Sequence, residues 1–267
     1  MTKKKFSVLG DPIEHSLSPS IHLAAYKQLG LDWGYERTQV HSGELSNFTS
    51  EEGLDFAGFS VTMPLKAEAA ALAVRSDDLV KQLGTANTLV RTANGLEAFN
   101  TDVFGINKAL ESCWLSKPQI VALLGAGATA RSALLPIQQN APSAKVSVYV
   151  RTSTNANAIV ELAKNLGVSL TVRPIEDFAQ AQELTINTIP GKKLPVNARK
   201  QQGWLLDVNY SNPDEEFHDQ FDSAKMVSGK AMLLWQAIAQ IRLFLNLDAS
   251  TELPHESDVL RAMSASL

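Results

Sequence analysis

The stretch "PQIVALLGAGATARSALLPIQQ", residues 118–139, decides the fold. Residues 120–123 form a continuous apolar run, the pattern of a strand covered on both faces of a parallel sheet. A helix opens within a few residues of Gly127, and between strand and helix lies "GAGATA", which fits the spacing G-x-G-x-x-A. Gly125 permits the tight turn, Gly127 lets a pyrophosphate approach the backbone, and Ala130 lets helix and strand pack closely. The helix start then offers free N–H groups and partial positive charge to phosphate. A glycine-alanine run alone also serves as a plain turn. Here the strand before, the helix after and the next strand, "AKVSVYVRT" at 144–152, select a dinucleotide site built on Gly125, Ala126, Gly127, Ala128, Thr129 and Ala130.

The end of that next strand decides which dinucleotide. An NAD site usually carries an acidic residue there to accept from the ribose 2′-hydroxyl. This chain has Arg151 and Thr152 and no carboxylate nearby. A guanidinium suits a 2′-phosphate as a charge-assisted, often bidentate partner, so NADP is the expected cofactor.

Working outward, "AIVELAKNLG", "VSLTVRPIEDF", "ELTINTIPG" and "GWLLDVNYS" continue the alternation of helix and strand across residues 158–211. Upstream, "KKFSVLG" reads as a strand and "SPSIHLAAYKQLGL" as a helix, with Ser18 placed to cap it ahead of Pro19. "WGYERTQV" and "FAGFSVTMPLK" read as strands, the second stopped by Pro64, and "AEAAALAV" reads as a helix. "ANTLVRTANGLEAFNTD" has the form of a hairpin turning at "ANG". Residues 229–246 form a long, strongly apolar helix, and a polar, flexible tail is expected from about Ser250.

The expected fold class is therefore α/β in two domains, with an active site in the cleft between them. Residues 1–103, completed by the C-terminal segment 237–267, form a substrate domain. Residues 104–236 form a Rossmann-type NADP domain, joined through or beside the helix "VFGINKALESCWL".

Composition narrows the function classes. Over 267 residues the net charge is −4, which supplies no electrostatic footprint for nucleic acid. No apolar run approaches the ~18 residues of a membrane span, and "MTKKK" leads into nothing like a signal-peptide apolar region. The single Cys113 excludes an internal disulfide and a cysteine zinc cluster, and its setting suggests a buried helical face. His15 and His22 lack acidic or cysteine companions, so no metal site is expected, and the four tryptophans read as packing residues. The run "PDEEFHDQ" reads as a solvated loop. These features together point to a cytoplasmic protein acting on a small molecule, without nucleic-acid or membrane partners, as monomer or homodimer.

Chemistry concentrates in the first half. Lys66 and Asp102 each follow an apolar strand, where α/β sheets place their ligands. A lysine there, desolvated beside a cationic nicotinamide, has its pKa lowered, and a carboxylate partner orients it and opposes that shift. Taken singly, each is more often a plain surface charge. "GDPIEHSLSPSIH", residues 10–22, adds Ser16 and Ser18, two apart on one side of an extended turn, with His15 beside them.

Seven ordered motifs make the chain resemble the shikimate dehydrogenase family over nearly its whole length. They are "GDPIEHSLSPSIH", "SVTMPLK", "TANTLV", "NTD", "INTIPG", "DVNY" and "GKAMLLWQA". The resemblance implies reduction of 3-dehydroshikimate to shikimate with NADPH, in aromatic amino-acid biosynthesis. It implies that Ser16 and Ser18 bind the substrate carboxylate, with Tyr210 closing that end. Ser60, Thr62, Lys66, Asn87, Asp102 and Gln236 would surround the ring hydroxyls, with Lys66 moving the proton and Asp102 as its partner. Asn187, Thr188 and Gly229 join the cofactor set. Three positions depart from the family pattern: Ser60 stands in place of asparagine, Ala128 in place of glycine, and Val150 in place of the asparagine before Arg151. Two alternatives stay open, a broader quinate/shikimate dehydrogenase using NAD and a nucleotide-sensing protein without catalysis.

Overall fold

The structure, a computed structural model, describes residues 3–178, 182–191, 194, 200–246 and 248–267. The chain divides into two compact units, one of Met1–Thr101 with Leu233–Leu267 and the other of Asp102–Met232.

The first unit opens with β1 (Lys5–Gly10), α1 (Ser18–Gln28), β2 (Gly34–Gln39) and α2 (Leu45–Ser50). Then come β3 (Gly58–Val61), α3 (Lys66–Leu72), β4 (Arg75–Ser76) and α4 (Asp78–Leu83). β5 (Thr88–Thr92) and β6 (Gly95–Phe99) close the run. Its sheet has the order β2-β1-β3-β5-β6-β4. β5 is antiparallel to both β3 and β6, while β1 pairs parallel with β2 and β3, and β4 parallel with β6. The expected hairpin is present: Thr92 pairs with Gly95, and Gly95 takes φ +124°, which suits a residue without Cβ. Leu9, Phe59, Leu65, Leu89 and Leu96 form the core of this unit.

The second unit starts with α5 (Asp102–Ala109) and α6 (Glu111–Trp114), then β7 (Ile120–Leu124), α7 (Ala128–Asn140) and β8 (Lys145–Val150). α8 (Asn157–Leu166), β9 (Ser169–Pro174), β10 (Leu184–Asn187) and β11 (Trp204–Asp207) follow. α9 (Glu215–His218) and β12 (Met226–Ser228) complete it. All its strand pairings are parallel, in the order β12-β11-β10-β7-β8-β9. That is the 3-2-1-4-5-6 order of a doubly wound dinucleotide fold, with β7 as first strand. Residues 121–124 of β7 are fully buried, as its apolar run requires.

α10 (Gly229–Phe244) and α11 (Glu256–Ser264) end the chain. From Met232 to Phe244 every α10 residue except Trp235 is buried, so this helix is enclosed on all sides. Within the first unit its last turn stacks Phe244 on Phe6 of β1, with ring centroids 4.2 Å apart.

Three local expectations differ from what is found. The stretch after Ser250 is not a flexible tail: α11 buries Val259 and Met263, and the Arg242 guanidinium on α10 donates to Glu256 through Nη2 at 2.6 and 2.7 Å and through Nε at 3.0 Å. Ser18 does not cap α1. The helix begins at Ser18 itself, Leu17 holds the cap position without a side-chain bond, and Pro19 lies in the first turn. "PDEEFHDQ" is not a loop throughout, because Asp214 caps α9 by accepting from Phe217 N and the Phe217 ring is fully buried.

The Arg242–Glu256 pair is mostly buried, so breaking it strands a charge. Glu256→Gln is expected to destabilise the first unit by about 3 kcal/mol in urea unfolding. The double change Arg242→Met with Glu256→Leu is expected to recover most of that loss; equal loss in both variants contradicts this account.

Candidate functional site

Strand direction explains which candidate residues of the first unit meet. β1, β3 and β6 run the same way, so the turns after them leave one edge of the sheet. Ser16 and Ser18 follow β1, Thr62 and Lys66 follow β3, and Thr101 and Asp102 follow β6. Asn87 precedes the reversed strand β5, so it stands at that same edge. Backbone bonds then tie the turns together: Asp11 N donates to Met63 O at 3.0 Å, and Ala86 N to Lys66 O at 2.8 Å. Asn87 N donates to Phe99 O at 3.1 Å, beside Thr101 and Asp102.

The opening turn is held from several sides. Asp11 accepts from Gln39 Nε2 and pairs with His41 Nδ1, both at 2.9 Å, and His41 holds the Asp11 carboxyl below the usual carboxylate range. Arg37 Nε donates to Ser16 O at 2.8 Å, and Ser18 N donates to Ser16 Oγ at 3.3 Å. Ser16 is partly exposed and Ser18 buried. His15 is exposed, whereas His22 lies fully buried in α1 with Nδ1 2.9 Å from Ser18 O. Its ring stacks on Tyr35 at 4.1 Å. Burial pushes the His22 imidazole down to about 4, against the partial support of the Ser18 carbonyl.

Asn87 is a buried polar node. Its Oδ1 accepts from Thr101 N at 2.8 Å and from Thr88 Oγ1 at 2.9 Å. Its Nδ2 donates to Thr101 Oγ1 at 2.9 Å and to Gln236 Oε1 on α10 at 3.3 Å. Lys66 and Thr62 are partly exposed, and Asp102 is buried at the start of α5. Ser60 is buried too, its hydroxyl accepting from Tyr35 and donating to Gln240. Tyr35 and Gln240 escaped the sequence reading, since no motif marks them, and Thr101 has no role in it although it lies inside "NTD".

The second unit holds the nucleotide candidates together with Asp102 and Tyr210. Gly125 takes φ +96°, and a Cβ there would meet Thr188 Oγ1 at 2.7 Å. Thr188 Oγ1 itself donates to Leu124 O at 2.8 Å, which fixes the β10 turn against the glycine loop. At Gly127 a Cβ would meet nothing within 4 Å, so the backbone there borders open space. Gly125, Ala126, Gly127, Val150, Arg151 and Ile189 line a pocket of about 430 Å³. Ala128 and Thr129 open α7, Ala130 is buried against the sheet, and Thr152 is exposed beside Arg151. This loop, open space and exposed guanidinium fit a dinucleotide phosphate. Asn187 Nδ2 donates to Asp207 Oδ1 at 2.9 Å, and Asp207 also pairs with His218 Nε2 at 2.8 Å. Gly229 starts α10 where a Cβ would meet Asp207 O at 2.6 Å, and Tyr210 N donates to Val208 O at 3.1 Å. Among the described residues no group of three or more metal-ligating side chains gathers, and no helix is long and apolar enough to cross a membrane.

A parallel sheet in this order with a glycine loop after its first strand defines a Rossmann-type dinucleotide-binding protein, here with a second α/β unit. Comparison with known proteins narrows the class. Residues 8–89 match the family described as the shikimate dehydrogenase substrate binding domain. The shikimate dehydrogenase (NADP(+)) of Ignicoccus hospitalis is 32% identical, over 98% of this chain and 99% of that protein. That of Methanothrix thermoacetophila is 33% identical, over 92% and 93%. Among solved structures, Mycobacterium tuberculosis shikimate dehydrogenase superposes with a TM-score of 0.79 at 33% identity, over 98% of this chain and 99% of that one. The Thermus thermophilus shikimate 5-dehydrogenase in complex with NADP(H) and shikimate gives a TM-score of 0.77 at 28% identity, over 99% and 100%. The chain belongs to the shikimate dehydrogenase family.

Two expectations follow from the local geometry. Gly125→Ala forces a side chain into a left-handed position against Thr188 and is expected to lose about 1–3 kcal/mol in thermal unfolding. Gly127→Ala, facing open space, is expected to stay within about 0.5 kcal/mol of native; equal losses at both positions contradict the loop geometry. For His22, the unfolded chain takes up a proton below its ordinary 6.5 while the folded chain refuses it until about 4. Its contribution is therefore complete above pH 6.5 and is lost as pH falls toward 4, by about 3 kcal/mol. His22→Asn, which does not titrate, is expected to flatten the stability–pH curve across that window, and an unchanged curve contradicts the assignment.

Proposed function

We propose that this chain is an NADP-dependent shikimate dehydrogenase, interconverting 3-dehydroshikimate and shikimate. The observation that carries this reading is the common edge of the first unit's sheet that the Ser16–Ser18 turn, Lys66, Asn87 and Thr101 share, with Asp102 next in the chain. The nucleotide loop at Gly125–Gly127 lies in the other unit. The similarity to NADP(+)-dependent relatives along almost the whole chain supports it.

Each chain residue has a chemical task. Ser16 and Ser18 offer hydroxyl donors to the substrate carboxylate, and Tyr210 closes that end. Thr62, Asn87 and Gln236 supply donors and acceptors for the ring hydroxyls. A site built to hydrogen-bond each hydroxyl rejects analogues that lack one, because its buried partners are then left unpaired. Lys66 donates the proton to the carbonyl oxygen during reduction and recovers it during oxidation. Asp102 orients the ammonium and balances its charge. Gly125, Ala126, Gly127, Ala128, Thr129 and Ala130 would hold the cofactor pyrophosphate and Arg151 and Thr152 its 2′-phosphate, with Asn187, Thr188 and Gly229 also in the cofactor set. NADPH, when bound, supplies the hydride. Arg151 in place of an acidic residue favours NADP over the NAD-using quinate alternative. The cytoplasm is the proposed place of action, consistent with the buried free thiol of Cys113.

The test is shikimate oxidation followed by NADPH absorbance. Lys66→Ala and Asp102→Asn are each expected to lower kcat by about 10²–10⁴-fold, the range of general acid–base catalysis, while shikimate still binds by calorimetry. Unchanged turnover in Lys66→Ala overturns the mechanism.

A further inference from the structure

Ser60 has a different use from its neighbours on the β3 edge. Its hydroxyl accepts from Tyr35 Oη at 2.6 Å and donates to Gln240 Oε1 at 2.8 Å, and the residue is only 4% exposed. With its one proton given to Gln240, it has none left to donate to a ligand. Gln240, one turn beyond Gln236 on α10, donates through Nε2 to Asn87 O and to Thr88 Oγ1, both at 3.0 Å. Thr88 Oγ1 then donates to Asn87 Oδ1 at 2.9 Å. The bonds therefore run without a break from Tyr35 through Ser60 and Gln240 to both the backbone and the side chain of Asn87. At the other end, the Tyr35 ring stacks on His22, whose Nδ1 reaches Ser18 O at 2.9 Å.

We propose that Tyr35, Ser60 and Gln240 are positioning residues, forming a buried strut that sets the Asn87 amide and its spacing from the Ser18 turn. The strut deepens the function proposed above and rests on it. It also gives a use to the serine that stands where the family pattern has asparagine: the side chain serves Asn87 from behind and leaves the substrate contact to it. Asn87 needs such support because Oδ1 and Nδ2 of an amide can exchange places by a simple rotation. An acceptor pinned from two sides, by Thr101 N and Thr88 Oγ1, keeps Nδ2 as the donor; of its two protons, one goes to Thr101 Oγ1 at 2.9 Å, and the one on the longer 3.3 Å bond to Gln236 Oε1 is the one a ring hydroxyl would take over. The bond from Gln240 Nε2 occupies a lone pair of Thr88 Oγ1 and turns its one proton toward Asn87 Oδ1, so a break in the strut frees that hydroxyl to rotate and loosens the amide.

The experiment is steady-state kinetics of the full chain with shikimate and NADP for Tyr35→Phe, Ser60→Ala and Gln240→Met, alone and combined with Asn87→Ala. Each single change is expected to raise KM for shikimate about three- to tenfold, the worth of one neutral hydrogen bond. KM for NADP stays at the native value, which a general loss of structure would not spare. In the Asn87→Ala background the same changes are expected to add less than about twofold, because they act through that side chain. Tyr35→Phe removes a single oxygen and keeps the ring stack, so it remains informative if Gln240→Met fails to fold. Unchanged KM for shikimate in the single variants, or effects that multiply fully with Asn87→Ala, overturns the strut while leaving the proposed activity in place. No shikimate turnover by the native chain overturns that activity and the inference with it.

Discussion

The first unit is organised around the direction of β5, the one strand of its six-stranded sheet that opposes its neighbours. A strand running with the others would begin at the opposite edge and carry Asn87 away from the turns after β1, β3 and β6. Because β5 is reversed, its first residues lie among those turns, and short backbone bonds from Ala86 and Asn87 hold them to Lys66 and Phe99. The carboxyl ends of parallel strands are where open α/β sheets present side chains to ligands. The hairpin that turns at residues 93–94 is thus the device that adds an amide to that edge.

A buried amide imposes conditions on everything around it. Leaving one of its polar atoms unpaired costs about 1–3 kcal/mol, so the surrounding positions are chosen to satisfy it. Thr88, Thr101 and Gln236 do so from β5, the turn after β6 and α10, and Gln240 on α10 holds Thr88 Oγ1 and the Asn87 backbone carbonyl behind them. α10 supplies two of those partners one turn apart while burying apolar side chains around the rest of its surface. That double duty explains how so apolar a helix contributes to a polar site. The Arg242–Glu256 pair fixes the same helix near its end, by joining it to the first turn of α11.

What could be read from sequence follows from how local each signal is. The glycine loop, the hairpin and the enclosed helix are written in contiguous residues: a turn spacing, a period of two with a turn at its centre, an unbroken apolar run. Lys66, Asn87 and Asp102 could be singled out because they sit beside such signals and inside motifs. Tyr35 could not, since it occupies an ordinary position in β2 and its partner Ser60 lies 25 residues away; Gln240 is 180 residues from that same serine. α11 was hidden for a related reason. Its polarity suggests solvent, and the buried Arg242 facing Glu256, with Val259 and Met263 buried beside it, shows why the segment folds back. Ser18 misled in the other direction: serine before proline reads as a cap, yet the turn closes through Ser16 Oγ and the helix starts at Ser18.

Shikimate presents a carboxylate at one end and ring hydroxyls at the other, and NADP carries the 2′-phosphate that NAD lacks. The most direct measurement is kcat/KM of the native chain for shikimate and for quinate, each with NADP and with NAD. The expected result is a clear maximum for shikimate with NADP, with quinate and NAD both strongly disfavoured. Equal or faster turnover of quinate with NAD, or no turnover of any of the four pairs, contradicts it.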